Sequence, residues 1–323
     1  MTVCHPERSE GPLGPLRASR QQPSPTSPRT PPMQRFFRTR LGAFVLFLIV
    51  AILPDLLIGG TAYLLLRLHV IHQPEMTWRP ALFLLFEGTT IAGLLIATFL
   101  VMKLGGRSLR ELGFAARNAG SLLLAGSAAG IAAPMLLIAT IAALGGFTFG
   151  TFAMQGTQLI AYALAWLAAM FALGLAEEMT FRGPALSLLG DAVGPWVAAF
   201  VTTAIFVFMH AGKPGENAAD LTSVGLLGLF MAFTVIRTGS IWFAVGFHAF
   251  FDYVALYVLG APNSGNHGGE PIPTRLLTGS YHGPAWLTGG KLGIEASWLI
   301  FPIIALMFAT FFFLPSRDRI HQT

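Results

Sequence analysis

The stretch LGLAEEMTFRG, residues 173–183, places two adjacent glutamates and an arginine at the end of a long apolar run. The preceding residues 161–176, AYALAWLAAMFALGLA, contain no charged side chain. About 20 apolar residues are enough for a helix to cross a bilayer, and ionisable residues in such a helix are costly. The stretch therefore predicts a membrane helix that ends in side chains with a function.

The composition of the 323-residue chain indicates that its surroundings are lipid rather than water. Hydrophobic residues make up 54% of the chain and charged residues 11%, whereas an ordinary soluble domain is roughly 25% charged. The formal charge of +5 does not indicate nucleic-acid binding, because the basic residues lie largely in the N-terminal segment and in short loops. Cys4 is the single cysteine, which excludes an intrachain disulfide and a cysteine-based metal site.

The predicted fold is all-α, a polytopic membrane helix bundle with about eight transmembrane helices. Apolar stretches of spanning length occur at residues 42–66, 81–102, 121–145, 157–178, 194–210, 221–236, 240–259 and 294–314. The fifth and sixth of these stretches are the shortest. The fourth stretch can continue past Glu178 to Leu189 with a break at Gly183-Pro184, because proline interrupts a helix. In that case the two glutamates lie within the membrane.

The chain divides into four predicted segments. Residues 1–34 form a Pro/Ser/Arg-rich tail that we expect to be disordered, and Met33 is an alternative start. Residues 35–120 contain the first membrane helices and a basic loop, 121–315 contain the polar clusters described below, and 316–323 form a basic tail. Positive residues favour a cytoplasmic N-terminus. The residues that fall on that side are Arg35, Arg38, Arg40, Lys103, Arg107, Arg110, Arg117, Arg237, Arg317 and Arg319.

The first polar cluster is Glu177-Glu178-x-x-x-Arg182. On a helix, Glu178 and Arg182 are i, i+4 neighbours that can form an ion pair, whereas Glu177 points about 100° away. The pair would leave Glu177 as a separate carboxylate in a poorly solvated site, which suits a general base. The alternative is that the cluster marks a solvated helix end at the headgroup boundary.

Two histidines define the second and third polar clusters. His210 closes the apolar run FVTTAIFVFMH, where a histidine is also typical of a capping or interfacial position. His248 and Asp252 are i, i+4 neighbours in the middle of an apolar span, so a solvated helix end does not explain them. Asp252 could orient His248 and fix its tautomer. The alternative is a buried hydrogen bond that locks helix packing.

Together the three clusters supply the groups needed to activate a water molecule. They offer a carboxylate base, imidazoles that could bind a metal or an oxyanion, and an acid that could orient an imidazole. Two histidines and one glutamate with an open position form a known catalytic zinc arrangement.

The clusters, in this order and on separate predicted helices, resemble the CPBP family. This family includes CAAX prenyl endopeptidases of the Rce1 type and bacteriocin-processing enzymes, and its members are also described as abortive-infection proteins. The family pattern is EExxxR, FxxxH and HxxxN/D, which here is EEMTFR at 177–182, FVFMH at 206–210 and HAFFD at 248–252. EExxxR alone is weakly specific, but three elements in the correct order are strongly specific. The resemblance covers residues 155–260, and SLRELGF at 108–114 is similar to a stretch found before the family's core.

The resemblance implies an intramembrane endopeptidase that hydrolyses a peptide bond with a glutamate-activated water. Glu177 would activate the water, with His210 assisting as ligand or partner. Glu178 would be held by Arg182, and His248 would stabilise the oxyanion or position the site together with Asp252. The implied catalytic residues are Glu177, Glu178, Arg182, His210, His248 and Asp252, so 121–315 would be the catalytic domain.

The resemblance also implies a cofactor, partners and a location. Family members are called metalloproteases, so we expect a divalent metal, zinc, with Glu177, His210 and His248 as ligands. The expected partners are the lipid bilayer and a membrane-associated peptide or protein substrate, prenylated or bacteriocin-like, and no nucleic acid. The expected location is a prokaryotic inner membrane. Asp252 stands where eukaryotic CAAX enzymes carry asparagine, which weakens the expectation of prenyl-CAAX cleavage.

Other functions remain open at this point. The sequence contains no HExxH, no GxGD and no GxSG in a span, which argues against the other intramembrane protease types. A non-catalytic immunity or scaffold protein could keep the same fold. A transporter could use the same carboxylates, although the hydropathy pattern shows no inverted repeat.

Overall fold

The computed structural model describes residues 36–68, 78–115, 117–211, 217–263 and 269–313, and these are mostly helical. The predicted tails at 1–34 and 316–323 lie outside the described residues. The helices are α1 (Arg40–Arg67), α2 (Pro80–Gly105), α3 (Ala119–Ala143), α4 (Gly156–Phe181), α5 (Pro184–Val193), α6 (Pro195–His210), α7 (Ala218–Thr238), α8 (Trp242–Asp252), α9 (Ala285–Thr288) and α10 (Ile300–Phe313). The shorter elements are a π-helix (Tyr253–Val258), 3₁₀ turns (Gly290–Leu292 and Ile294–Ala296), β1 (Phe147–Thr148) and β2 (Ser280–Tyr281).

An apolar helix lies at each of the eight predicted positions, which confirms the all-α, membrane-type bundle. Within the described ranges, four segments are long and apolar enough to cross a membrane: Pro80–Gly105, Ala119–Ala143, Gly156–Val193 and Ala218–Thr238. Shorter apolar helices occur at Arg40–Pro54, Pro195–His210, Trp242–Val258 and Ile300–Phe313. The sixth predicted stretch is therefore longer than the sequence indicated, and the number of crossings stays a prediction.

The predicted break after the glutamates is present between α4 and α5. The amide N–H groups of Arg182 and Gly183 both donate to the carbonyl oxygen of Glu178, which ends α4. Pro184 then begins α5, a position where proline is favoured because its missing N–H has no partner in a helix's first turn. The break leaves Glu178 in the last turn of α4 and Glu177 directly before that turn.

α8 lies inside the bundle, where it packs against α3, α4 and α7. Its closest neighbour is α3, which carries the pattern Gly126-x-x-x-Gly130. A Cβ atom at Gly126 or Gly130 would overlap the carbonyl oxygen of Phe243 or Phe247 on α8. Such small residues let two membrane helices approach closely. The α3–α8 contact therefore fixes the helix that carries His248.

Phenylalanine both fills the core and covers the surface. Phe230 on α7 makes edge-to-face contacts with Phe243 and Phe247 on α8 and with Phe308 and Phe311 on α10. In contrast, apolar side chains on the outer faces of several helices are largely exposed. This surface is expected of a protein whose solvent is lipid.

The basic loop between α2 and α3 lies at the end of the bundle where α7 turns into α8. The hydroxyl and the N–H of Ser108 donate to Glu111, and these hydrogen bonds lower the pKa of the Glu111 carboxyl. Phe114 forms a β-bridge with Ser240 in the turn. Arg107 forms an ion pair with Asp191, which lies near the end of α5. The SLRELGF stretch thus docks against the start of α8.

Residues 260–296 form a cap at the opposite end of α8, apart from 264–268, which lie outside the described residues. The cap is tied to the helices by the Trp166 indole N–H, which donates to Thr274, and by the Leu276 N–H, which donates to the Tyr257 carbonyl. β2 in the cap pairs antiparallel with β1. The described part of this segment is therefore joined to the helices by hydrogen bonds.

Candidate active site

A fully buried ion pair lies at the end of α4. Glu178 Oε1 is 3.1 Å from Arg182 Nη1, and both side chains have 0% exposure. The guanidinium also lies over the Phe206 ring, 4.5 Å from its centroid. The i, i+4 spacing predicts this pair, and burial on all sides contradicts the alternative of a solvated helix end.

His248 lies among three carboxylates. Its Nδ1 is 2.8 Å from Glu178 Oε1, a hydrogen-bond distance. Its Nε2 is 3.6 Å from Glu177 Oε2 and 3.5 Å from Asp252 Oδ2, which are ion-pair distances rather than hydrogen bonds. An ionised carboxylate only accepts, so Nδ1 carries a hydrogen and donates to Glu178. The closest partner of His248 is therefore Glu178 on α4, and not Asp252 as the sequence spacing indicated.

The side chain of Glu177 lies on a different face of α4 from that of Glu178. It is 26% exposed and lines a cavity of about 180 Å³ together with His248 and Asp252. His210 lines the same cavity, and its Nδ1 is 2.9 Å from the Phe206 carbonyl oxygen. If Nδ1 donates there, the neutral ring presents Nε2 as its acceptor nitrogen. Glu177 is thus the carboxylate of the EE pair that reaches the cavity.

Two features of the site are unfavourable for a regular α-helix: the carboxylate at the end of α4 and the π-helix that follows α8. Glu178 lies in the last turn of α4, where a carboxylate faces the negative end of the helix dipole at a cost of about 0.3–1 kcal/mol. α8 changes to a π-helix directly after Asp252, an irregularity that occurs frequently at functional sites. Residues that break local rules are expected where a function requires them.

One family model matches the segment that carries the polar clusters. Residues 158–254 match the model described as Rce1-like, Type II CAAX prenyl endopeptidase Rce1-like. Over these residues the chain is similar to the Rce1-like family. The matched residues contain all six predicted site residues, Glu177, Glu178, Arg182, His210, His248 and Asp252. No curated protein and no solved structure gives a significant match to the chain. The Rce1-like match and the long apolar helices together support an integral membrane protein.

The sequence did not predict three polar residues that line the cavity. Asp220 on α7 is 4% exposed, while Asn263 and Glu295 come from the cap. The Ser223 hydroxyl donates to the Glu295 carbonyl, which joins α7 to this part of the cap. Asp220 could have been suspected because it is an acidic residue near the start of a predicted span. Nothing in the sequence places Asn263 or Glu295 near the clusters.

The predicted metal site was Glu177, His210 and His248. Within the described residues, no group of three His, Cys, Asp or Glu side chains is arranged to hold a metal ion. The Nδ1 of His248 donates to Glu178, and its Nε2 faces two carboxylates. This arrangement does not fit a three-ligand zinc site, and the metal stays a prediction.

Proposed function

We propose that the chain is an intramembrane endopeptidase that hydrolyses a peptide bond of a membrane-associated substrate. The observation that carries this proposal is the separation of the two adjacent glutamates. Glu178 is buried against Arg182 and His248, while Glu177 reaches the cavity. The Rce1-like match supports the same class of reaction.

In the proposed reaction Glu177 is the general base. Its carboxylate takes a proton from a water molecule in the cavity, and the water oxygen attacks the carbonyl carbon of the scissile bond. The C–N bond then breaks, and the protonated Glu177 gives its proton to the leaving nitrogen. One carboxylic acid and one amine are formed, and Glu177 returns to its starting state.

His248 and Arg182 set the geometry in this proposal. Glu178 fixes the imidazole ring through Nδ1, so Nε2 points towards Glu177 and Asp252. When the ring is protonated at both nitrogens, Nε2 is also a donor and can hold the oxygen that becomes negative in the transition state, which is a large contribution in many hydrolases. Arg182 pairs with Glu178 and holds its carboxylate in place. His210 lines the cavity and supplies a second imidazole next to the substrate.

The lining of the cavity indicates which substrates fit best. Its described lining includes four acidic residues, Glu177, Asp220, Asp252 and Glu295, and no lysine or arginine. Charges in a poorly solvated site interact more strongly than in water. We therefore propose that a neutral or cationic peptide segment enters more readily than a free C-terminal carboxylate.

The test is a cleavage assay on purified protein in detergent. Fluorogenic peptides with and without a prenyl group, each with a blocked or a free C-terminus, are compared by mass spectrometry. We expect the wild type to cleave at least one peptide and to favour the blocked ends. His248→Gln should lose about 10²-fold or more, as expected for a lost oxyanion donor. His282→Gln, an exposed histidine of the cap, is the matched control and should keep its activity.

A panel on which the wild type shows no cleavage in detergent or in liposomes would count against the hydrolase. A scaffold or immunity role would then be favoured. Equal activity of His248→Gln and His282→Gln would contradict the role given to His248.

Chelation tests the metal separately. Because the described residues around Glu177 do not form a three-ligand site, we expect cleavage to persist after dialysis against a strong chelator. The measurement is the cleavage rate before dialysis, after dialysis, and again after zinc is added back. Loss of cleavage on dialysis and its return with zinc would contradict this expectation and would support the predicted zinc site.

A further inference from the structure

Thr203 on α6 differs from the other buried threonines of the long helices. Its side chain is 4% exposed, and its hydroxyl has no hydrogen-bond partner among the described residues. Thr98, Thr202 and Thr234 are also buried, and each donates to a carbonyl three or four residues earlier in its own helix. A buried hydroxyl without a partner is unfavourable, so Thr203 calls for an explanation.

Arg182 has buried hydrogen-bond donors that lack an acceptor. Its Nη1 donates to Glu178, but its Nε and Nη2 are buried and have no hydrogen-bond partner in the described part of the chain. A guanidinium carries five N–H donors and no acceptor, whereas a hydroxyl oxygen can accept. The hydroxyl oxygen of Thr203 is therefore the kind of acceptor that the unpaired N–H groups of Arg182 need.

Gly228 on α7 lies beside both side chains. A Cβ atom at Gly228 would lie 2.6 Å from Arg182 Nη2 and 3.1 Å from Thr203 Cγ2. The methyl group of Thr203 and Arg182 Nη2 therefore both border the small space beside Gly228. Threonine in a helix uses two χ1 rotamers, and a step of χ1 to another staggered position can place the hydroxyl where the methyl group now lies. Such a step brings the Thr203 hydroxyl to the space that Nη2 also borders.

We propose that Thr203 is a positioning residue, whose hydroxyl accepts a hydrogen bond from Arg182 Nη2, and that Gly228 leaves the space this contact needs. The effect reaches the cavity through a chain of two contacts: Arg182 pairs with Glu178, and Glu178 holds His248. The consequence for cleavage rests on the proposed hydrolase function.

The first test compares Thr203→Val with Thr203→Ser. Valine keeps the shape and removes the hydroxyl, while serine keeps the hydroxyl. We expect Thr203→Val to lower kcat about tenfold with little change in KM, because a hydrogen bond to a charged group is lost away from the substrate. Thr203→Ser should retain most of the rate. Equal losses in both variants would indicate a packing role and would overturn the proposal.

The second test uses two glycines on the same helix. Gly228→Ala places a methyl group against Arg182 Nη2 and should lower kcat more than Thr203→Val does. Gly225→Ala is the matched control, because its Cβ would meet only Val207 Cγ2, at 3.3 Å, and neither Arg182 nor Thr203. Unchanged kcat in Gly228→Ala would contradict the space requirement.

A third measurement does not depend on catalysis. The unfolding midpoint is measured for Thr203→Val, Arg182→Lys and the double variant. If the hydroxyl acts through the guanidinium, Thr203→Val should lower the midpoint of the wild type and have little further effect when Arg182→Lys is already present. Equal effects in both backgrounds would overturn the proposal. Because this cycle needs no substrate, failure of the hydrolase function would leave its result intact.

Discussion

Replacing Glu177 with glutamine is expected to reduce peptide hydrolysis about 10³-fold while the protein stays folded, since a positioned general base typically contributes 10²–10⁴-fold. Glutamine has nearly the same shape as glutamate but cannot take a proton from water. Glu177 is partly exposed to the cavity and lies farther from His248 than Glu178 does, so its neutralisation should leave the unfolding midpoint almost unchanged. The measurements are the initial cleavage rate and the thermal unfolding midpoint.

The neighbouring glutamate provides the contrast. Glu178→Gln removes the charge that faces Arg182 inside the protein, and breaking a buried pair by removing one partner can cost about 3–5 kcal/mol. This variant should therefore lose both stability and activity. Glu270→Gln, an exposed cap residue, is the control for glutamate replacement in general. Activity that survives in Glu177→Gln and is lost in Glu178→Gln would reverse the roles assigned to the pair.

Gly130→Ala is expected to destabilise the protein and to abolish most of its activity. The added Cβ would overlap the Phe247 carbonyl oxygen, next to His248, so α3 and α8 must move apart. Overpacking of this kind typically costs about 1–3 kcal/mol. The separation also displaces His248 from Glu178, which explains why activity should fall further than stability does. The measurements are the unfolding midpoint in detergent and the cleavage rate at a temperature where the variant is folded.

Gly120→Ala is the matched control on the same helix. A Cβ atom at Gly120 would meet nothing within 4 Å, and alanine favours a helix over glycine by up to about 1 kcal/mol. We expect this variant to be as stable as the wild type or slightly more stable. If the two alanine variants behaved alike, the close α3–α8 contact would not be what holds the site together.

The local features of the site could be predicted from the sequence. Helical spacing alone places Glu178 beside Arg182 and turns Glu177 to another face, and Gly183-Pro184 predicts the helix end. The apolar stretches indicated the helices because a membrane helix must satisfy its backbone within one segment. Each of these inferences depends on neighbours within a few residues.

Contacts between distant helices could not be predicted in the same way. The hydrogen bond between His248 and Glu178 joins residues 70 positions apart, and it depends on how closely α3 lets α8 approach α4. Spacing within α8 instead favoured Asp252 as the partner of His248. The cap residues Asn263 and Glu295 line the cavity because the irregular cap segment brings them there. This segment has no periodic sequence pattern from which their positions could be predicted.

Glu178 and Arg182 are only four residues apart, which has a consequence for biosynthesis. A lone charged residue resists transfer from the translocon into lipid, and His248 belongs to a helix that is synthesised later than α4. Glu178, however, needs only one turn of its own helix to meet Arg182. Arg182 therefore neutralises the charge of Glu178 already when α4 enters the bilayer. The Glu178 carboxylate is not left unpaired in lipid during the time before α8 is synthesised. The positions three and four residues from Glu177 hold no basic side chain, so no pair within α4 can neutralise its charge. Favourable contacts for Glu177 form only when the other helices have assembled around α4.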